Sequence, residues 1–223
     1  LRINGLQYPA GTIVCLAGAN GSGKTTLVEC LVGLLVPERG EVWVRNHVVK
    51  PESVAVKKQI GFVPDDDGWI VAELTANEYF KLLIRIYRRA GVKTNMKRRL
   101  SELTRELMFS DTNVLLGELS HGNKKKVQII AALLHQPALV VVDEVRNGLD
   151  PIVIKRVERL LQKEAKSGAT IIAATHDLWW AERFAKSVVF LNDGNIALAE
   201  NKRSIINSYG SLEAGFEIMF KRS

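Results

Sequence analysis

The stretch Gly18-Ala-Asn-Gly-Ser-Gly-Lys-Thr25 matches G-x-x-x-x-G-K-[ST] at every position. It stands between an apolar run, Thr12–Ala17, and a helical pattern, Thr25–Leu35. A strand before and a helix after is the context a phosphate-binding loop needs. Glycines let the backbone curl until several N–H groups point at one anion, and the following helix adds the positive end of its dipole. Gly18, Ala19, Asn20, Gly21, Ser22, Gly23, Lys24, Thr25 and Thr26 are the candidate nucleotide-binding residues. Lys24 can reach the β and γ phosphates, and the Thr25 hydroxyl can serve a magnesium ion.

Working outward, Leu139-Val-Val-Val-Asp-Glu144 reads as an apolar strand ending in two acids. Open α/β sheets bind ligands at the carboxyl ends of their strands. Asp143 is therefore placed to support magnesium, and Glu144 to orient and deprotonate a water. Thr175-His-Asp177 follows a third apolar strand, Thr170–Ala174. Read alone, a histidine there is more often structural than a donor to a γ-phosphate.

The rest of the chain supplies a matching frame. Glu41–Val44 and Gln59–Val63 are further strands, and Ser187–Leu191 and Ile196–Ala199 flank the turn Asn192-Asp-Gly-Asn195, a hairpin signal. Apolar strands alternating with helices predict an α/β fold: a phosphate-loop NTPase with a mostly parallel core sheet, an antiparallel β part and a helical insertion. The insertion is the stretch from about Thr75 to Leu116, which carries only helical signals. Thr75 and Glu78 form a T-x-x-E capping box, and Tyr79, Phe80, Leu83, Ile86 and Tyr87 share one face before Gly91 ends the helix. Leu100, Leu103 and Leu107 mark a second helix. A single domain is expected, with its core at about 1–70 and 120–200, a helical subdomain at about 71–119 and a tail at about 201–223.

Composition narrows the class further. Of 223 residues, 47% are hydrophobic and 25% charged, ordinary for a globular chain. The longest apolar runs, such as Ala138–Val142, fall far short of the roughly 18 to 20 residues of a membrane-spanning helix, and Leu1–Ala10 lacks the charged-then-apolar order of a secretory signal. Cys15 and Cys30 sit among apolar residues with no Cys/His cluster, which predicts buried thiols and suits a reducing compartment. The net charge of +7 permits an anionic partner without choosing one.

Leu119-Ser-His-Gly-Asn-Lys-Lys-Lys126 then poses a question: it is a second loop running into a basic helix, with no metal-ligand cluster and no nucleophile–base pair. Taken with the phosphate loop, Val140-Val-Val-Asp-Glu144, Asn147-Gly-Leu-Asp-Pro151 and Thr175-His-Asp177, it resembles the nucleotide-binding domain of ATP-binding cassette (ABC) transporters, most like separate-subunit exporter ATPases. The resemblance covers essentially the whole chain, and the 119–123 stretch resembles that family's LSGGQ signature. It implies an ATPase using ATP and Mg2+ that works as a head-to-tail dimer of ATPase domains, homodimer or heterodimer. The signature of one chain closes on the ATP held by the other. Ser120, His121, Gly122 and Asn123 would act in trans, Asp150 would cross the interface, His176 would be the switch histidine, and Glu144 and Lys24 would complete the catalytic set.

Several positions depart from that pattern. Asp65, within Asp65-Asp-Asp67, stands where the family usually has glutamine; it is either a further metal ligand or part of a solvated turn. His121 replaces the first signature glycine and Asn123 its glutamine. Val145 and Arg146 stand where proline and threonine or serine are usual. The adenine-stacking aromatic falls upstream of Leu1, and Tyr8 lies too late to serve.

The resemblance also implies a partner, a separate transmembrane permease subunit, and a cytoplasmic location, peripheral on the inner face of the cell membrane. Trp69 and Tyr79, Phe80, Leu83 and Tyr87 are candidate contacts, the latter four more often core. Arg85, Arg88, Arg89, Lys93, Lys97, Arg98 and Arg99 form a basic stretch, either a solvated face or a surface for anionic lipid. Two rival readings remain at this level. One is a soluble ABC ATPase acting on nucleic acid or cofactor assembly, disfavoured by the lack of a coiled-coil arm, zinc cysteines or a second cassette. The other is a regulatory cassette that binds ATP without hydrolysing it.

Overall fold

The structure is a computed structural model and describes residues 5–220. Its strands are β1 (Ile13–Gly18), β2 (Trp43–Val44), β3 (His47–Val48), β4 (Ile60–Val63), β5 (Leu139–Asp143), β6 (Thr170–Thr175), β7 (Ser187–Asn192) and β8 (Asn195–Asn201). Its helices are α1 (Lys24–Val32), α2 (Val54–Lys57), α3 (Ala76–Arg89), α4 (Met96–Glu106), α5 (His121–Leu133), α6 (Pro151–Lys166), α7 (Leu178–Phe184), α8 (Lys202–Tyr209) and α9 (Leu212–Phe220). Six strands form one sheet in the order β4-β5-β6-β1-β7-β8, parallel except for the β7–β8 hairpin.

Register places the chemistry. Ala17 pairs with Thr175, Asp143 with Ala174, and Val63 with Val142, so the carboxyl ends of β1, β6, β5 and β4 share one edge. Alternation along β1 divides the faces. Val14 and Leu16 pack with Leu27, Val28 and Val32 of α1, whereas Cys15 and Ala17 face the layer of α5, α6 and α7 through Ile130, Val157 and Trp180. Both cysteines are buried free thiols.

The insertion begins as its sequence predicts. The Thr75 hydroxyl accepts the Glu78 N–H at 3.3 Å, and Glu78 Oε2 accepts the Thr75 N–H at 2.9 Å. Gly91, at φ +80, closes α3 while Val92 N–H donates to Tyr87 O at 3.0 Å. The apolar face is shifted, however: Phe80 and Ile84, one helical turn apart, are buried, while Ile86 is 50% exposed. Arg99 likewise leaves the expected basic surface; it is buried and paired with Glu164 of α6 at 2.6 Å.

Two boundaries shift markedly from expectation, and the tail, whose packing the sequence leaves open, is placed. The first helix stops at Val32 because Gly33 turns left-handed at φ +74 and Leu34 N–H returns to Glu29 O at 2.9 Å. The strand expected over Glu41–Val44 shrinks to a two-residue arm of the β2–β3 hairpin. The tail packs on the domain: Ile205 and Leu212 are fully buried, and Phe216 meets Phe190 edge-on at 5.4 Å.

Candidate active site

The phosphate loop leaves β1 where no side chain fits. A Cβ on Gly18 would stand 2.6 Å from Leu191 O and overlap Ser22. Gly21 and Gly23 take left-handed conformations, and Gly23 caps α1 with no side-chain hydrogen bond. Lys24 Nζ folds back to donate to Gly18 O at 2.7 Å and Ala19 O at 3.0 Å, holding the loop curled. Burial lowers its pKa, with Glu144 and Asp143 pulling the other way. Thr25 and Thr26 are exposed at the helix start.

The register delivers the acids to the same edge. Burial first, then the neighbouring Asp65 and Glu144, push the Asp143 carboxyl up to about 6, against the pull of Lys24 and Lys125. That is a crowded carboxylate environment in which two ammonium groups do not offset burial and like charge. Glu144 adopts φ +42, uncommon for a residue with a side chain. Its carboxylate turns to β6: Oε2 accepts from Thr175 Oγ1 at 3.1 Å, and Oε1 accepts the His176 N–H at 2.9 Å and lies 2.8 Å from His176 Nδ1. Arg146 pairs with Asp177 beside this contact, and Asp177 also caps α7 by accepting the Trp180 N–H at 2.8 Å.

The start of α5 is held differently. Ser120 is its N-cap, and the Ser120 hydroxyl oxygen accepts the Asn123 N–H at 3.3 Å. In this arrangement that N–H serves the cap. The Asn123 amide donates to Asp111 Oδ2 at 2.5 Å. His121 Nδ1 lies 3.0 Å from Asp67 Oδ2, and its ring covers Gly148, which sits at φ +76 with no room for a Cβ. Gly122 also packs on Gly148; a Cβ there would approach its carbonyl oxygen to 2.6 Å. Among the described residues, these contacts of Ser120–Asn123 include none with the phosphate loop. Asp150 caps α6, its Oδ1 accepting from Ile152 N–H at 2.9 Å and Val153 N–H at 3.0 Å.

Asp65 and Asp66 are exposed in a bend whose main chain is held from below. Lys125 Nζ donates to Pro64 O at 2.7 Å and Asp65 O at 2.8 Å, Gln128 Nε2 donates to Asp66 O at 2.7 Å, and Asn147 Nδ2 donates to Asp65 Oδ1 at 2.9 Å. Sequence reasoning missed Lys125, Gln128, Asn147 and the Arg146–Asp177 pair. Arg146 is visible as a departure from pattern; a lysine inside a lysine run gives no sign that it is buried.

A phosphate loop after the first core strand, with an acid pair and a histidine at neighbouring strand ends, defines a phosphate-loop NTPase. The chain belongs to the ABC transporter family, which it matches over residues 1–147, and it is an ATPase of that family. It is 29% identical over 209 residues to the ABC-type transporter ATP-binding protein EcsA of Bacillus subtilis (strain 168), covering 93% of this chain and 83% of EcsA. It is 30% identical over 187 residues to the SkfA peptide export ATP-binding protein SkfE of the same organism, covering 83% and 76%. It is 35% identical over 225 residues to ABC transporter G family member 20 of Dictyostelium discoideum, covering 97% of this chain and only 30% of that longer protein. An ATP-binding subunit of an ABC transporter superposes with TM-score 0.87 at 28% identity, over 95% of this chain and 89% of the other. A dimeric cassette in a post-hydrolysis state, bound to ADP and Pi, does so at 0.77 and 28%, over 88% of each.

Proposed function

We propose that this chain is the ATP-hydrolysing subunit that powers transport through a separate transmembrane permease, with ATP held between two chains arranged head to tail. The observation that carries the reading is the separation of roles within one chain. Gly18–Thr26, Asp143, Glu144 and His176 belong to strand ends on one edge, while Ser120–Asn123 opens α5 and bonds elsewhere. A helix N-terminus that does not serve its own phosphate loop is available to a second chain's nucleotide. Ile152, 64% exposed beside Asp150, is an apolar side chain suited to such an interface.

In this reading Lys24 leaves the loop carbonyls for the β and γ phosphates. Thr25, Asp143 and Asp65 would offer hard oxygen donors of the kind magnesium takes, and a cation there would offset the burial and like charge that raise the Asp143 pKa. Among the described residues no three acidic, histidine or cysteine side chains converge as a metal cage, so phosphate oxygens would complete the coordination. Magnesium held by these residues would supply charge neutralisation to the phosphates. Glu144 orients water and takes its proton, and His176 and Lys24 face the charge developing on the γ-phosphate. Ser120 and the α5 dipole approach from the partner chain.

No helix among the described residues is long and apolar enough to cross a membrane, so a permease would be a separate subunit or segment. Trp69, 52% exposed and edge-on to Phe62 at 6.1 Å, directly follows the acid loop and is the contact through which closure would reach it. The placement on the inner face of the cell membrane follows from that partner. Export is favoured over import by the export protein among the relatives. The test is sedimentation of Glu144→Gln with ATP beside the unmodified chain, with phosphate release measured in parallel. An ATP-dependent dimer without turnover supports the shared site; a variant that remains monomeric at every ATP concentration rules it out for two copies of this chain.

A further inference from the structure

Lys125 is fully buried. A buried ammonium is costly unless both its protons and its charge are met. Two main-chain carbonyls, Pro64 O at 2.7 Å and Asp65 O at 2.8 Å, take protons but bring no net charge. The charge is met through space by carboxylates: Asp65 foremost, then Asp67, Asp143 and Asp66 oppose the effect of burial on this amine. Asp65 meanwhile is fixed, its carbonyl by Lys125 and its carboxylate by Asn147. An acid at position 65 adds a negative charge to an edge already bearing Asp143 and Glu144, where more negative charge, that of a triphosphate, must bind.

We propose that Lys125 is the built-in counter-charge of Asp65, so that the two together present the phosphates with the net charge a neutral side chain at position 65 would give. The proposal rests on Asp65 and Asp143 facing the nucleotide as described above. Lys125 is then a positioning residue that acts through its field and through the Asp65 main chain, without touching substrate. It also ties the acid loop of one nucleotide site to the helix whose start serves the other.

The test is equilibrium binding of a fluorescent ATP analogue in the presence of EDTA at low salt, so that neither metal nor turnover contributes. Lys125→Gln keeps an N–H donor for the carbonyls and removes the charge; Asp65→Asn keeps the acceptor for Asn147 and removes the opposite charge. Lys125→Gln is expected to weaken binding and Asp65→Asn to tighten it, each on the order of tenfold, the scale of a unit charge about 10 Å away at an effective dielectric near 20. The double variant should return to within about threefold of the unmodified chain, and Lys125→Arg should match it. Both single effects should shrink as salt is raised. Unchanged affinity in Lys125→Gln with a lowered Tm would reduce Lys125 to a packing role and overturn the proposal. If Lys125→Gln does not fold, Asp65→Asn decides: no tightening overturns it. An unmodified chain that binds no nucleotide in EDTA and none when magnesium replaces it would sink the site itself, a result distinct from equal affinities across the variants, which sinks only the counter-charge.

Discussion

The Glu144 carboxylate holds His176 at two points, accepting its main-chain N–H at 2.9 Å and lying 2.8 Å from its ring Nδ1. With Nδ1 engaged by the carboxylate, Nε2 is the ring atom left free of it, the one that would face a phosphate in the proposed mechanism, and the His176 side chain is 69% exposed. In the proposed mechanism the two residues would act as a unit whose product is orientation more than binding. His176→Ala is expected to lower kcat by roughly 10²- to 10³-fold, with ATP affinity changed by less than about threefold. Steady-state phosphate release and nucleotide titration on the same preparation check this. A loss of affinity as large as the loss of kcat would show that His176 serves binding.

Arg146 and Asp177 clamp the same two loops one step outward, Arg146 two residues beyond Glu144 and Asp177 next to His176. Their pairing limits how far β6 and the loop after β5 can separate. Arg146→Ala is expected to cost about tenfold in kcat, and Arg146→Lys much less. In a His176→Ala background the further loss should nearly vanish, because residues acting as one unit are not additive. Full additivity in that cycle would place Arg146 outside the switch.

What can be read from sequence follows the range of its signals. The phosphate loop, Asp143-Glu144 and the Thr75 capping box are local patterns, each supported by the element on either side of it, and the structure builds all three. The Asp65–Asn147 bond spans 82 residues and the Arg146–Asp177 pair 31. Neither leaves a periodic or spacing signal, since each depends on which strands are neighbours. Ile86 and Arg99 defeat the sequence reading for a related reason: one is judged by helical face and the other as part of a basic run, and which positions are buried is set by tertiary packing, for Arg99 against α5 and α6. For His121, Asn123 and Asp150 the structure supplies contacts within one chain.

Gly148 carries two constraints at once, a left-handed φ of +76 and the His121 ring on its surface. Gly148→Ala should destabilise the fold by about 1 to 3 kcal/mol from backbone strain plus displacement of the ring. His121→Gly removes the ring but not the strain, so His121→Gly/Gly148→Ala should recover part of the loss. Thermal denaturation of the three variants separates the contributions. If the double variant is no more stable than Gly148→Ala alone, the ring contact is not what limits that position.

His135 offers a pH test away from the nucleotide. It is buried, stacked on Tyr87 at 4.0 Å, and its Nε2 lies 3.2 Å from Ile60 O. Burial, aided by Arg99 and opposed by the Ile60 carbonyl, lowers its pKa from 6.5 to about 4. A base whose pKa is depressed by folding takes its proton first in the unfolded chain. Its contribution to stability is whole above pH 6.5 and is lost as pH falls through about 4. The loss can reach roughly 3 kcal/mol, because each tenfold drop in proton affinity on folding is worth about 1.4 kcal/mol. His135→Phe keeps an aromatic ring against Tyr87 and removes the titration. Its Tm should be lower than that of the unmodified chain at pH 7, where the bond to Ile60 is missed, but should fall less between pH 6.5 and 4. Parallel acid slopes for the two proteins would mean that His135 is not the group whose protonation loosens this end of the sheet.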